Sequence, residues 1–373
     1  MSATKSKTGW RRHLRNSLEP LSVYDVPPST APTRLHANEC PEPWPEAVLE
    51  ALGRHIARLE LNRYPDTSGR SLRRVLGEQH GVDPERIVLG NGSDEVISFL
   101  ITALSAGDAP GAVVVPTPSF VMYAHSAAVL GVPVREVPLD AEFQLVEDAM
   151  RSALEGASLC FLARPNNPTS SLFDKTLLER LVADFPSTIF VLDEAYAAYL
   201  GEAREAESIW TPEGPENLVL MTTLSKIGLA ALRLGYCIAP PELALALNKV
   251  RHPYNVSATS LALAEAVLVE FADVRATMLE RAIGQRDRLV RILGRIPDAR
   301  IHPAAGNFVL VRLDPPERAP ALVESLASEG VRIKDQSKTP ALEGCVRVSL
   351  GTGAELDHLE AALRRHGWLQ AEG

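Results

Sequence analysis

Lysine is scarce in this chain, with seven among 373 residues, at positions 5, 7, 175, 226, 249, 334 and 338, against 31 arginines. The search for an amine nucleophile is therefore short. Cysteine is scarcer still: Cys40, Cys160, Cys237 and Cys345 lie far apart, which excludes a disulfide framework and a clustered zinc site and fits a reducing, cytoplasmic setting. No metal is expected. No apolar run approaches the ~18 residues of a membrane span. No G-x-x-x-x-G-K-[ST] segment is present, which removes the nucleotide-triphosphate loop from consideration. Positive charge is also in deficit. A net charge of −9 and a pI near 5.6 argue against nucleic acid or an anionic membrane as the main partner. The first fifteen residues are locally basic (Lys5, Lys7, Arg11, Arg12, Arg15) but lack the apolar stretch of a secretory signal, so they read as a solvated arm rather than a transit peptide.

What is present is an ordinary globular composition, 46% hydrophobic and 23% charged, in a chain long enough for two domains. From about 70 to 240 short β-rich runs alternate with helical patterns. Strands are expected at 86–90, 112–115, 132–137, 158–163, 188–193, 218–224 and 235–239, with helices such as 95–104, 120–130 and 175–185 between them. That alternation predicts an α/β layer on a mostly parallel sheet, and runs such as Ile189-Phe190-Val191-Leu192 lack polar alternation, as strands covered on both faces do. Beyond 260 one long helical pattern, 261–293, precedes expected strands at 300–302, 308–312, 331–334 and 346–350, a smaller α+β unit. By these patterns the chain divides into an N-terminal arm, 1–45, packing with the small domain, a large domain, 46–260, and a small one, 261–373.

Four segments carry chemistry. Gly90-Asn91-Gly92-Ser93-Asp94-Glu95 follows a strand and opens a helix. Glycines admit a ligand close to the backbone, and a helix N-terminus offers free N–H groups, so this is either a phosphate loop or a tight turn with Ser93 or Asp94 as the helix cap. It is not the dinucleotide fingerprint, which needs Gly or Ala where Glu95 stands. Thr188 to Glu194 is an apolar strand ending in two carboxylates, read as a magnesium-holding segment, a buried Asp that keeps a pyridine nitrogen protonated, or a strand-end cap. Lys226 ends another strand, where open α/β sheets bind ligands; it is an amine for imine chemistry or a solvated surface lysine. Arg233 follows within reach of a phosphate. Arg164-Pro165-Asn166-Asn167-Pro168-Thr169 is a stiff turn that presents an amide.

In this order the segments resemble the fold-type I aminotransferases, and most closely the histidinol-phosphate aminotransferases. The resemblance spans nearly the whole chain. It adds Leu35-His36-Ala37-Asn38-Glu39, Asn62-Arg63-Tyr64-Pro65, Pro118-Ser119-Phe120-Val121-Met122-Tyr123, Leu232-Arg233-Leu234-Gly235-Tyr236, Lys334-Asp335-Gln336 and Gly344-Cys345-Val346-Arg347-Val348. It implies the pyridoxal-phosphate-dependent transferase fold, a mostly parallel central sheet with helices on both faces plus a smaller α+β domain, and pyridoxal 5'-phosphate as cofactor.

The resemblance also implies roles. Lys226 is the Schiff-base lysine that moves the proton between substrate Cα and cofactor, Asp193 pairs with the pyridinium nitrogen, and Asn167 and Tyr196 hold the ring hydroxyl. Phe120 stacks on the ring; Ser93, Asp94, Ser225 and Arg233 cradle the phosphate. Tyr64 reaches that phosphate from the neighbouring subunit of a homodimer with shared active sites. Arg347 grips the substrate's anionic end, with Lys334, Tyr254 and Asn38 also on the substrate side. Lys334 stands where the family usually has an arginine, Ser170 where it has glycine, and Leu21 where it has a tyrosine, with Tyr24 as a stand-in. The activity implied is transfer of an amino group between histidinol phosphate and 2-oxoglutarate, in histidine biosynthesis. The alternatives are an aromatic amino-acid aminotransferase, a threonine-phosphate decarboxylase on the same scaffold, and a binding protein without turnover.

Overall fold

The computed structural model describes residues 9–19, 21, 23, 30–107 and 111–369. Tyr24 lies outside them. Thirteen strands lie among these residues, in chain order: β1 (Thr33–Arg34), β2 (Ile87–Asn91), β3 (Ala112–Thr117), β4 (Val134–Pro138), β5 (Ala157–Ala163), β6 (Ile189–Asp193), β7 (Leu218–Thr223), β8 (Leu234–Ile238), β9 (Ala299–Ile301), β10 (Phe308–Leu313), β11 (Val331–Arg332), β12 (Lys334–Asp335) and β13 (Cys345–Ser349).

Seven strands make one sheet in the order β2-β8-β7-β6-β5-β3-β4. Every neighbouring pair is parallel except the two that involve β8, which runs against both β2 and β7. The mostly parallel α/β sheet expected from the alternating pattern is therefore present. Its centre is apolar on both faces for a period-two reason. Val88, Val113, Phe161, Val191 and Met221 point to one side, against the helices Ser93–Leu104 and Pro241–Val250. Toward the other, Cys160, Leu162, Phe190 and Leu192 meet the helix Lys175–Asp184, and Leu89, Leu220 and Ile238 meet the helices Arg70–His80 and Ala258–Val269. The parallel strands end on one edge, and loops beyond that edge carry the segments read above as chemical. Because β8 runs backward, its start lies on this same edge, with Leu234 opposite Asn91 and Gly235 opposite Thr223. Arg233 is brought there by topology.

The C-terminal part is a four-stranded antiparallel sheet, β12-β13-β10-β9, covered by the helices Ala272–Leu293, Arg318–Ser328 and Gly353–Arg365. The last of these helices starts on a capping box, Thr352 and Glu355 satisfying each other's backbone N–H. From the N-terminal segment, β1 pairs in parallel with β11.

Two expectations need correction. The helical pattern 261–293 is two helices, Ala258–Val269 and Ala272–Leu293, separated at Glu270 and Phe271. The first packs its Ala264 and Val267 into the core of the large sheet, whereas the second delivers Leu289 and Ile292 to the small core. One straight helix could not serve both. The position 260/261 falls inside the first. The single strand expected at 331–334 is likewise two short ones: β11 pairs with β1, Ile333 is buried between, and β12 pairs with β13. Among the described residues no helix is long and apolar enough to cross a membrane.

Candidate active site

Thirteen residues line a cavity at the carboxyl edge of the large sheet, among them Ser93, Asp94, Phe120, Asn167, Asp193, Tyr196, Ser225, Lys226 and Arg233. All nine were expected from sequence, and the fold brings them together from six separate loops.

Lys226 sits on a single 3-10 turn, Leu224–Ile227, that begins where β7 ends. Thr223 caps the turn through its hydroxyl, and Tyr199 donates its hydroxyl to the Lys226 carbonyl at 2.7 Å, so the backbone under the amine is fixed. Among the described residues Nζ has neither a hydrogen-bond acceptor nor an ion partner; its polar contact is the Tyr196 ring, 5.6 Å to the centroid. A fixed backbone with an unengaged amine suits covalent attachment to a carbonyl compound.

Asp193 ends β6 and is 5% exposed. Burial pushes its carboxyl up to about 6; the hydroxyl of Tyr123 and the backbone N–H of Ala195 pull the other way. Those donors lie at 2.5 Å and 2.9 Å. Tyr123 is fully buried, its own ionisation pushed well above the ordinary range by that burial, so it stays a donor. Tyr123 stacks on Phe161 and meets Phe120 edge-on, which fixes the ring that fixes the carboxylate. Tyr123 carries no assigned role at the level of sequence, because a tyrosine beside Met122 in an apolar helix reads as core.

The two asparagines of the proline-flanked turn have different work. Asn166 is fully buried and holds the turn, accepting from Ser119 at 2.7 Å and donating to Pro118 and Thr169. Asn167 lines the cavity; its Oδ1 accepts from Arg347 at 2.6 Å, and its Nδ2 has no protein acceptor among the described residues. Ser170 is at φ 59°, a left-handed conformation that favours glycine, and its hydroxyl accepts the Gly306 N–H at 2.8 Å, a bond glycine lacks.

At the other wall the helix Ser93–Leu104 begins with its free N–H groups at the cavity. Its N-cap is Gly92, at φ 81°, so neither Ser93 nor Asp94 caps it. Asp94 instead meets Arg233 at 3.3 Å, and Arg233 reaches Ser225 Oγ at 3.4 Å. Glycine suits both positions for different reasons: Gly92 stands at φ 81°, where an L side chain is strained, and a Cβ at Gly235 would run into the backbone of Gly92 and Ser93. Free helix N–H groups, a hydroxyl and a guanidinium converge on one spot, which fits a phosphate. The cavity as a whole fits pyridoxal phosphate: a lone amine, a buried carboxylate, the polar groups of Asn167 and Tyr196 in its lining, and an anion cradle.

The residues expected on the substrate side stand further out. Arg347 lies over Phe308 and donates to Asn167 and to the His36 carbonyl at 2.7 Å. Lys334 is its cross-strand partner and is exposed. Burial and the nearby Arg332, with Arg347 and Lys334, push the His36 imidazole down, so four basic side chains share this spot; Arg332 and His36 were not singled out from sequence. Asn38 is buried at φ 53° and is engaged by the protein: Nδ2 donates to Tyr196 Oη at 3.2 Å, and its Oδ1 accepts from Ser349 at 2.8 Å. Tyr64 and Tyr254 do not line the cavity; they stack on each other with ring centroids 4.5 Å apart.

The family model for aminotransferase class I and II matches residues 31–363. The chain is 37% identical to a histidinol-phosphate aminotransferase of Burkholderia lata over 94% of this chain and 97% of that one. It is 39% identical to one from Burkholderia mallei, again over 94% and 97%. In structure it resembles the histidinol-phosphate aminotransferase of Sinorhizobium meliloti in complex with pyridoxal-5'-phosphate, with a TM-score of 0.78 and 28% identity, covering 90% of each chain. A pyridoxal-phosphate site of this geometry and likeness along nearly all of its length have one reading: the chain belongs to the class I and II aminotransferases and, within them, to the histidinol-phosphate aminotransferase family.

Proposed function

We propose that this enzyme moves an amino group between histidinol phosphate and 2-oxoglutarate, giving imidazole-acetol phosphate and glutamate, as a cytoplasmic homodimer. The observation that carries the reading is the meeting of Lys226, Asp193 and Asn167 in one cavity, with Arg347 bonded to Asn167 and Lys334 paired across the strands with Arg347.

Bound pyridoxal phosphate supplies the sink for the electron pair left when the substrate Cα–H bond breaks. With the cofactor bound, Lys226 Nζ would take that proton from the substrate Cα and deliver one to the cofactor's C4′ carbon. Asp193, held by Tyr123 and Ala195, keeps the proton on the ring nitrogen. Asn167 Nδ2 and Tyr196 Oη hold the ring hydroxyl, and Phe120 covers one face. Ser225, Arg233, the Ser93 hydroxyl and the first N–H groups of the helix at Ser93 and Asp94 hold the phosphate; the Asp94 carboxylate is turned to Arg233. Arg347 binds either a carboxylate or a phosphate, both of which a planar guanidinium meets with two parallel bonds. From the partner copy, Tyr64 reaches the cofactor phosphate, while Lys334 and the partner copy's Tyr254 complete the substrate's anion site. In this reading Asn38 acts on substrate through Tyr196. The small part and the segment ahead of residue 46 act as one cover, linked by β1 and β11, over the large part.

Borohydride reduction of the purified enzyme is expected to fix a pyridoxyl mass on the peptide that contains Lys226. Lys226→Ala is expected to lose transamination by at least about a thousandfold, as loss of a group acting both as anchor and as general base implies. Single-turnover spectroscopy with histidinol phosphate, phenylalanine and threonine phosphate in parallel decides the substrate. Fastest turnover with histidinol phosphate supports the proposal; faster phenylalanine turnover, or release of carbon dioxide from threonine phosphate, overturns it.

A further inference from the structure

A second cavity, about 550 Å3 in volume, lies on the opposite face of the large sheet. It is walled by Leu220 and Thr222 of β7, Tyr236 of β8, Trp210, and residues of the helices Arg70–His80, Ala258–Val269 and Ala272–Leu293. Ala195 and Thr223 belong to both cavities, so it shares a wall with the cofactor site. Nothing in the transamination chemistry uses it.

Its charges are unbalanced in one place. Arg275 lines the cavity, and its side chain has neither a hydrogen-bond acceptor nor an ion partner among the described residues; its Nε is buried and unsatisfied. A guanidinium in this position is disfavoured three times over. It is desolvated without an acceptor. It feels a second cation, Arg204, across the same cavity. It also sits in the first turn of a 22-residue helix, at the positive end of the helix dipole. Arg204 is already matched by Glu194, 3.6 Å away and 5% exposed. The remaining acid, Glu205, is on the exposed rim. His80 adds no anion: burial holds it neutral, pushed down to about 4, and it shares a 2.8 Å hydrogen bond with Tyr236. An anion beside Arg275 would remove all three penalties together. The rest of the wall is mixed: Gln79, Ser208, Thr211, Thr222 and Thr223 are polar, while Trp210, edge-on to His80, and Leu220, Ile227 and Leu268 supply an apolar and aromatic part.

We propose that this cavity is a second binding site, for a small monocarboxylate with an apolar or aromatic body. The carboxylate lies on Arg275, with Arg204 beside it, and the body lies against Trp210, Leu220, Ile227 and Leu268. The site is independent of the substrate assigned to the cofactor cavity.

Phenylacetate titrated calorimetrically into the holoenzyme tests this. Arg347→Ala, which removes the anion site at the cofactor cavity, is expected to leave one phenylacetate site per chain. Arg275→Leu is expected to weaken that site at least about tenfold, the usual effect of deleting a charged hydrogen-bond partner. 2-Phenylethanol, the same body without the anion, is expected to bind at least about tenfold more weakly for the same reason. Ala198→Leu fills the cavity from its wall without touching a charge and is expected to lower affinity as well, which keeps the test open if Arg275→Leu fails to fold. No phenylacetate binding in Arg347→Ala overturns the proposal. So does binding that Arg275→Leu or Ala198→Leu leaves unchanged in a folded chain, or equal affinity for the alcohol.

Discussion

The role proposed for Asp193 requires it to be ionised in a place that opposes ionisation. Burial raises its carboxyl to about 6 from an ordinary 3.8, even with two donors pulling it back. A group whose folded value is raised contributes stability fully below its unfolded value and loses it as pH rises through the folded one. In the apo-protein that window runs from about pH 4 to about pH 6, and a shift of roughly two units corresponds to about 3 kcal/mol. The amide introduced by Asp193→Asn is neutral throughout, so the denaturation midpoint of the apo-protein relative to that of this variant is expected to fall across the window. A flat difference would mean that water reaches the carboxylate. In the proposed role a protonated ring nitrogen of the bound cofactor would supply the missing counter-charge, and the same penalty in the apo state would become selectivity for a cationic ring. Other functional candidates also carry local strain. Arg233 and Tyr254 stand at φ 49° and 60°, a conformation that costs such residues about 1–2 kcal/mol, and Asn38 stands at φ 53°, which asparagine tolerates more readily. Their neighbours must over-determine them, as the bonds of Asn38 to Tyr196 and Ser349 do.

At the level of elements, the proposed phosphate cradle depends on how closely β8 approaches the loop after β2. Gly235 makes that approach possible. Gly235→Ala is expected to push the start of the helix Ser93–Leu104 away from Arg233, because a methyl forced into packed backbone costs about 1–3 kcal/mol. Cofactor affinity measured by absorbance titration should fall about tenfold, with the far-ultraviolet circular dichroism unchanged. Unaltered affinity would show that the loop is free to retreat. The elements forming this cradle were legible in sequence because each has local punctuation: apolar runs without alternation, then Gly90 and Gly92, or Pro165 and Pro168. The breaks that went unread have none. Glu270-Phe271 interrupts a helical pattern with residues that helices tolerate, and only the change of core, from the large sheet to the small one, decides that the chain bends there. Ile333 divides a strand for the same reason, since its two halves find partners in different sheets. Tyr123 was hidden in another way: its hydroxyl partner, Asp193, is seventy residues away in sequence. The helix cap, read as Ser93 or Asp94, is Gly92, because the helix already begins at Ser93, and the Asp94 carboxylate meets Arg233 instead.

For the molecule as a whole, the question is what covers Tyr64 and Tyr254. Tyr64 is 80% exposed and Tyr254 43%, and their stacked rings stand outside the cavity of their own chain. Leu49, Ile56 and Leu61, close by in sequence, are exposed too, and in the proposed homodimer a second copy of the chain would be positioned to cover such side chains. If Tyr64 serves the partner's cofactor phosphate, defects in Lys226 and Tyr64 belong to different sites when they are carried on different chains. Tyr64→Ala alone is expected to weaken cofactor binding about tenfold, as loss of one hydrogen bond to a charged group does. Mixing Lys226→Ala with Tyr64→Ala chains, each nearly inactive at limiting cofactor, then creates mixed dimers with one site carrying both defects and the other carrying neither. Activity at limiting cofactor should rise well above that of either parent once subunits have exchanged. If Tyr64 acted within its own chain, every site in the mixture would still hold one defect, and the activity of the mixture would be no more than the average of the two parents.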